Sequence, residues 1–241
     1  MHDITEIKRL EQVRAEFVAN VSHELKTPVT SIKGFAETII DGAVDNREEL
    51  IEFVNIIYKE ADRLSKLVHD LLELSKIEAN DANLDKSYDN MVLIAKEIIN
   101  NLQHEADKSN KHLYFYSNRD VIVHSVDRDR IKQVFINLIS NSIAYSREGA
   151  NIFVRVFDND NDIVIEVEDN GMGIPEKDIP RIFERFYRVQ KDRSRATGGT
   201  GLGLSIVKHI VEVHEGNIEV ESKVGVGTTF RISFPKDIYS E

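Results

Sequence analysis

Over the first third of the chain, apolar residues recur every three or four positions. Phe17, Val21, Leu25, Val29, Ile32, Phe35 and Ile39 fall on one side of a helix drawn over 5–41. Asp41-Gly42 ends that pattern. A second helical pattern spans 47–79, carried by Leu50, Val54, Ile57, Ala61, Leu64, Val68, Leu71 and Leu72. At the helical rise each segment is roughly 50 Å long. Two long helices with a short connection form an antiparallel hairpin. Two helices do not enclose a core, so their apolar stripes need a cover. The simplest cover is a second copy of the chain, giving a four-helix bundle as a homodimer. A monomeric hairpin packed on the rest of the chain is the alternative.

The polar run Asn80-Asp81-Ala82-Asn83 reads as a linker, and beyond it the period changes. Helical patterns lie over 91–107, 128–145 and 202–214. Alternating or apolar runs over 112–117, 121–126, 152–157, 163–168, 218–221 and 228–234 read as strands. Strands mixed with helices, not in strict alternation, predict an α/β sandwich with one helical layer. The expected organisation is therefore an entry segment over 1–5, a helical hairpin over 6–79, a linker over 80–83 and an α/β domain over 84–241.

Composition narrows the reading. The 241 residues are 41% hydrophobic and 30% charged, a balance that suits a soluble globular chain with a sizeable core. The net charge of −11 argues against a nucleic-acid partner. Without cysteine there are no disulfides and no thiolate metal sites. No apolar run is long enough to span a bilayer, and the charged start (Asp3, Glu6, Lys8, Arg9) is not that of a signal peptide.

The segment Ser22-His23-Glu24-Leu25-Lys26-Thr27-Pro28 carries candidate chemistry. His23 lies opposite the apolar arc of its helix and so faces solvent. A neutral imidazole is a nucleophile near pH 7, and Glu24 can accept the proton from the other ring nitrogen. Thr27 is one turn from His23 on the same face, where its hydroxyl can position a water. Pro28 removes an amide from the helix ladder beside the acceptor. The remaining histidines, His2, His69, His104, His112, His124, His209 and His214, read as ordinary surface residues.

Four further segments suit a nucleotide. Asn137 and Asn141 lie one turn apart on the polar side of a helix whose other side carries Ile131, Phe135, Leu138 and Ile139. Amide oxygens so placed can hold Mg²⁺ against phosphates. In Asp169-Asn170-Gly171-Met172-Gly173-Ile174, the carboxylate ends an apolar column of Ile163, Ile165 and Val167. A carboxylate there needs a donor, and the amino group of adenine is one; guanine presents a carbonyl instead. Gly171 and Gly173 permit close backbone approach. In Ile182-Phe183-Glu184-Arg185-Phe186-Tyr187-Arg188 the aromatics can anchor a lid, and Arg188 can reach a terminal phosphate. The stretch from 174 to 200 holds seven Lys or Arg and four Asp or Glu, as a lid over polyphosphate would. Gly199-Thr200-Gly201-Leu202-Gly203 opens into a helix whose N-terminal amides suit phosphate. Gly225-Val226-Gly227-Thr228 reads as a hairpin turn with no ligand.

Taken in this order, the segments resemble the H, N, first glycine, F and second glycine boxes of the sensor histidine kinases of two-component signalling, over nearly the whole chain. The resemblance implies a hairpin dimerising into a four-helix bundle, followed by an α/β sandwich of the gyrase-like (Bergerat) ATPase type. It implies that ATP phosphorylates His23 with help from Glu24, and that the phosphoryl group passes to an aspartate of a cognate response regulator. Glu24-x-x-Thr27 resembles the family's phosphatase motif. By the same resemblance Asn141 is the Mg²⁺ ligand. ATP would be bound by Asn137, Asn141 and Tyr145 of the N box, by Asp169, Gly171, Gly173 and Ile174, by Tyr187 and Arg188, and by Gly199, Thr200, Gly201, Leu202 and Gly203. Ala144 departs from the pattern, because many members carry a basic residue there. Asp3-Ile4-Thr5 resembles the exit of a PAS sensor domain, which implies the cytoplasmic portion of a membrane sensor whose spans lie outside this chain. The other readings are an ATPase clamp of the same superfamily, which lacks the H box and hairpin, and a non-catalytic dimeric adaptor that docks a regulator.

Overall fold

The computed structural model describes residues 4–42, 46–79, 84–189 and 199–236. The linker 80–83, Asp3 and residues 190–198 of the lid segment lie outside them. The chain forms two compact units. One takes in Met1–Glu73 and Gln190–Thr200, the other Leu74–Val189 and Gly201–Glu241.

The first unit is built on two long helices, α1 (Ile4–Ile40) and α2 (Arg47–Ala79), whose bounds follow the apolar periodicity. Gly42 closes α1 from the left-handed region, at φ 71°, with its amide on the carbonyl of Ile39. Asn46 opens α2 by accepting the amide of Glu49, and Glu48 and Glu49 favour the positive end of the helix dipole. The helices run antiparallel, since Glu24 meets Arg63 midway along both and Phe35 meets Phe53 nearer the turn, with ring centroids 5.0 Å apart. Leu67 is buried, while Leu50, Val54, Val68 and Leu72 are 37–57% exposed along one stripe of α2.

The second unit is the expected two-layer sandwich. Its elements are β1 (Lys86–Asn90), α3 (Met91–Lys108), β2 (His112–Ser117), β3 (Val123–Asp127), α4 (Arg128–Tyr145), β4 (Asn151–Asp158), β5 (Asp162–Asp169), a 3₁₀ turn (Ile179–Arg181), α5 (Gly203–Val213), β6 (Asn217–Lys223) and β7 (Gly227–Pro235). The main sheet has the order β2-β4-β5-β7-β6, with β2 and β4 parallel and the other neighbours antiparallel. One face of it is apolar: Ile152, Val154, Val156, Ile165, Val167, Ile232 and Phe234 are fully buried, as are Ile131, Phe135, Leu138 and Ile139 of α4 and Ile206 and Ile210 of α5. On the opposite face Arg155 bridges Glu166 and Glu168, and Arg231 also meets Glu166.

Two findings depart from the sequence reading. Strand β1 was not expected, because Lys-Ser-Tyr-Asp-Asn carries no strand pattern. It forms by pairing with β3 and ends in Asn90, whose side chain caps α3 on the amide of Val92. His124 and His214 are not surface residues; they are 7% and 5% exposed. Nε2 of His214 accepts the amide of Asp127, so Nδ1 carries the proton and donates to the carbonyl of Ile210. Burial holds this imidazole below its usual pKa, in the neutral form the pairing requires. The bond ties the end of α5 to Asp127, the residue that caps α4 on the amide of Arg130.

The turn between β6 and β7 closes against the loop that follows β5. Gly227 has φ 146°, and a Cβ there would run into the carbonyl oxygen of Asp169. Gly227→Ala is therefore expected to destabilise the protein by about 2–4 kcal/mol. Chemical denaturation measures this, and an unchanged midpoint would show that the hairpin relaxes freely.

Candidate phosphoacceptor and nucleotide sites

In the helical unit the side chain of His23 is 72% exposed, and its Nδ1 lies 4.0 Å from Oε1 of Glu24. Glu24 itself is only 17% exposed. Its other oxygen, Oε2, accepts Nη2 of Arg63 at 3.0 Å, from a guanidinium that is 6% exposed and also faces Glu60. Arg63 thus holds the acid of the H box from the facing helix, with Oε1 on the side of the imidazole. Thr27 donates its hydroxyl back to the carbonyl of His23 at 3.1 Å, which leaves the oxygen as an acceptor. Pro28 is buried, and α1 continues through it.

The α/β unit gathers Asn137, Asn141, Tyr145, Asp169, Gly171, Gly173 and Ile174 around the end of α4 and the loop after β5. Asp169 is 8% exposed. Its Oδ2 accepts the hydroxyl of Ser142 at 3.0 Å and its Oδ1 the amide of Gly171 at 2.9 Å. The carboxylate has protein donors before any ligand arrives, which the sequence reading did not include. Burial still outweighs those hydrogen bonds and holds the carboxyl above the usual aspartate range. The loop after β5 is fixed on both sides. Met172 donates its amide to the carbonyl of Tyr145, Ile174 donates to the hydroxyl of Ser222, and Gly225 donates to the carbonyl of Met172. Gly173 has φ 69°, and a Cβ would collide with the backbone of Lys223. The turn assigned no ligand therefore braces the loop.

Asn137 Oδ1 accepts a long hydrogen bond from Gln133, at 3.4 Å, while its Nδ2 is buried with no partner among the described residues. Gly203 approaches this amide so closely that a Cβ would lie 3.4 Å from Oδ1. No side chain caps the start of α5, which leaves amides for an anion. Half-buried Ala144 occupies the position of the missing base. At the same helix end the buried Lys111 donates Nζ to the carbonyl of Ile143, a favourable charge for the helix dipole.

The F segment is anchored by backbone. The amide of Phe186 donates to the carbonyl of Gly201 at 2.8 Å, and a Cβ on Gly201 would meet the backbone of Phe186 at 2.9 Å. Tyr187 donates its hydroxyl to Asp178 and stacks under the guanidinium of Arg181. Arg188 is half-buried, as are Gly203 and Gly201, and Leu202 is fully buried. Gly199 and Thr200 belong to the helical unit, where the hydroxyl of Thr200 donates to Asp70 at 2.6 Å.

Residues 13–80 match the family profile described as the His Kinase A (phospho-acceptor) domain, and residues 126–238 match the Histidine kinase-, DNA gyrase B-, and HSP90-like ATPase profile. The chain belongs to the sensor histidine kinases. It is a transmitter region, with the phosphoacceptor hairpin first and the ATPase-type domain second. It is 38% identical to the sensor histidine kinase WalK of Bacillus subtilis over 98% of its length, covering 39% of that protein. It is 39% identical to the sensor protein kinase WalK of Staphylococcus aureus over its full length, covering 58% of that protein. The chain thus spans about two to three fifths of these relatives. Among solved structures it resembles the histidine kinase ThkA in complex with the response regulator TrrA, with TM-score 0.75, 28% identity, and coverage of 95% of this chain and 64% of that one. It also resembles the histidine kinase AdeS of Acinetobacter baumannii, with TM-score 0.71, 26% identity, and coverage of 89% and 98%.

Ser142, Ser222 and Thr228 escaped the sequence reading. Ser142 could have been found, because it is a polar residue on the apolar side of α4, and a buried hydroxyl needs a partner.

A carboxyl whose folded pKa exceeds its unfolded value stabilises the fold below the unfolded value, and that contribution is lost as pH rises through the folded one. At neutral pH the Asp169 carboxylate is thus a cost to the nucleotide-free domain. Asp169→Asn should raise the melting temperature of the nucleotide-free protein at pH 7 and weaken ATP binding by about tenfold or more. Calorimetry and nucleotide titration report the two effects, and unchanged ATP affinity in the folded variant removes Asp169 from the site.

Proposed function

We propose that this transmitter phosphorylates itself on His23 with ATP held by the α/β unit, then passes the phosphoryl group to an aspartate of a separate response regulator. The observation that carries this reading is the exposed imidazole of His23 with Glu24 at its Nδ1, in a chain whose second unit holds the Asp169 and Asn137/Asn141 constellation. Nε2 attacks the γ-phosphorus while the bond to the β,γ-bridging oxygen breaks and ADP leaves. Glu24 takes the Nδ1 proton as the ring becomes cationic. The 4.0 Å separation has to shorten for that transfer, and Arg63 holds the carboxylate in orientation meanwhile.

In this reading Asp169 accepts the amino group of adenine, and the start of α5 with Gly201, Leu202 and Gly203 receives phosphate. Tyr145, Gly171, Gly173 and Ile174 shape the base end, while Tyr187 and Arg188 belong to the lid, with Arg188 offsetting charge on the transferred group. Gly199 and Thr200 precede α5 in the segment that resembles the second glycine box and are assigned to phosphate with it. The amide oxygens of Asn141 and Asn137 suit a hard cation, and the unpartnered Nδ2 of Asn137 suits a phosphate oxygen. Mg²⁺ held there would supply charge neutralisation to the phosphates.

The exposed stripe of Leu50, Val54, Val68 and Leu72 on α2 supports a homodimer through a four-helix bundle. The domain limits 6–79 and 84–241 follow from the same division of labour. ThkA, solved with a response regulator, supports such a regulator as partner. ATP as phosphoryl donor places the reaction in the cytoplasm. The longer sensor kinases among its relatives support an anchored parent whose membrane segments lie outside this chain. Thr27, one turn from His23 with an acceptor oxygen available, supports a second activity as phosphatase of the phosphorylated regulator.

His23→Ala should abolish autophosphorylation and leave ATP binding unchanged, since the Asp169 and Asn137/Asn141 constellation lies in the other unit. Acid-labile phosphate incorporation equal to wild type would mean that another residue accepts the group. Thr27→Ala should lose regulator dephosphorylation and keep most of the kinase activity. Equal loss of both in paired assays would make Thr27 structural.

A further inference from the structure

Ser142 stands out among the buried side chains of α4. It is 2% exposed and shares the inner side of the helix with Ile131, Phe135, Leu138 and Ile139, all fully buried. A hydroxyl in that company is costly unless it is bonded. Its Oγ donates to Oδ2 of Asp169 at 3.0 Å, while Oδ1 takes the amide of Gly171 at 2.9 Å.

We propose that Ser142 is a positioning residue for adenine recognition, fixing the carboxylate of Asp169 in the orientation that meets the 6-amino group of ATP. The proposal rests on the reading of Asp169 as the adenine acceptor. The outer torsion of an aspartate side chain is soft, and a carboxylate held at one oxygen alone can swing about that point. Two donors from different elements, one from α4 and one from the loop after β5, remove this freedom. Each oxygen accepts twice, so the pair leaves acceptor capacity on both for a ligand. Space enforces the arrangement too. A Cβ on Gly171 would lie 2.6 Å from Oδ1 of Asp169 and 2.8 Å from the hydroxyl of Ser146. The glycine is what allows the carboxylate, the loop and α4 to close on one another.

The groups within hydrogen-bonding reach of the carboxyl are Ser142 of α4, Ser146 just past its end, Gly171 of the loop, and the backbone of Thr228 on β7. None of them ionises, so among these groups only Asp169 can contribute a pH dependence. The Ser142 hydrogen bond favours the ionised carboxyl against the effect of burial. Removing it makes the carboxyl harder to ionise, and a protonated carboxyl is the poorer acceptor.

The test compares ATP with purine riboside triphosphate, which has hydrogen in place of the 6-amino group, on wild-type protein and on Ser142→Ala. The substitution puts a smaller apolar group in an apolar setting, and a melting curve checks the fold. The expected result is an ATP affinity lowered about tenfold in the variant, with purine riboside triphosphate affinity nearly unchanged. The pH midpoint below which ATP binding is lost should also move upward. Wild-type ATP affinity in the variant overturns the proposal, as does an equal loss for both nucleotides, because a merely structural hydroxyl has no reason to distinguish them. Equal binding of the two nucleotides by the wild type overturns the adenine reading of Asp169 itself, and with it the role of Ser142.

Discussion

A carboxylate at the end of an apolar strand has to be met by donors, and much of the α/β unit is arranged around that requirement. Asp169 closes the inward column of β5 behind Ile163, Ile165 and Val167, all buried. Its two oxygens take a hydroxyl from α4 and an amide from the loop. That loop can turn so tightly only because residues 171 and 173 lack a Cβ, and it is braced by the β6–β7 hairpin through Ser222 and Gly225. Gly227, against the carbonyl of Asp169, lets the hairpin come close enough. The carboxylate remains costly to bury. In the proposed function that cost is offset only when adenine arrives, so the site is a place where the fold gives up stability for recognition.

The helical unit solves the opposite problem. A phosphoacceptor has to be reachable, yet its neighbouring acid has to stay in place. His23 is left in solvent, and Glu24, next in sequence, turns inward to Arg63. The ion pair is largely withdrawn from water on both sides, with Glu24 17% and Arg63 6% exposed, so it orders the acid more than it stabilises the hairpin. The same helices keep a row of aliphatic side chains exposed on α2, far more than a two-helix unit tolerates alone. Reachable histidine and unpartnered stripe lie on one scaffold, and the bundle proposed above covers the second without covering the first.

Hydrogen bonds across long stretches of sequence hold these arrangements. The α5 helix is tied to the cap of α4 by a neutral His214, and β1 exists through its pairing with β3 and through the Arg128 contacts to Asp89 and Glu97. Such links position the N-box helix and the start of α5 relative to each other, and a Cβ on Gly203 would touch the side chain of Asn137.

The sequence by itself determined whatever depends on neighbours along the chain. The hairpin helices follow from a spacing of three and four, and α2 runs over Arg47–Ala79 as that spacing predicts. The sandwich follows from alternation in its strands, and the exposure of His23 from its place opposite an apolar arc. The polar strand β1 and the burial of His124 and His214 were not legible, because neither pattern nor residue type demands them. The tertiary structure alone decided the pairings: Ser142 with Asp169, 27 residues apart; Arg63 with Glu24, 39 apart; His214 with Asp127, 87 apart. Periodicity tells which side of an element is buried, but a buried polar group finds its partner in whatever element packs there, and that is a property of the assembled fold.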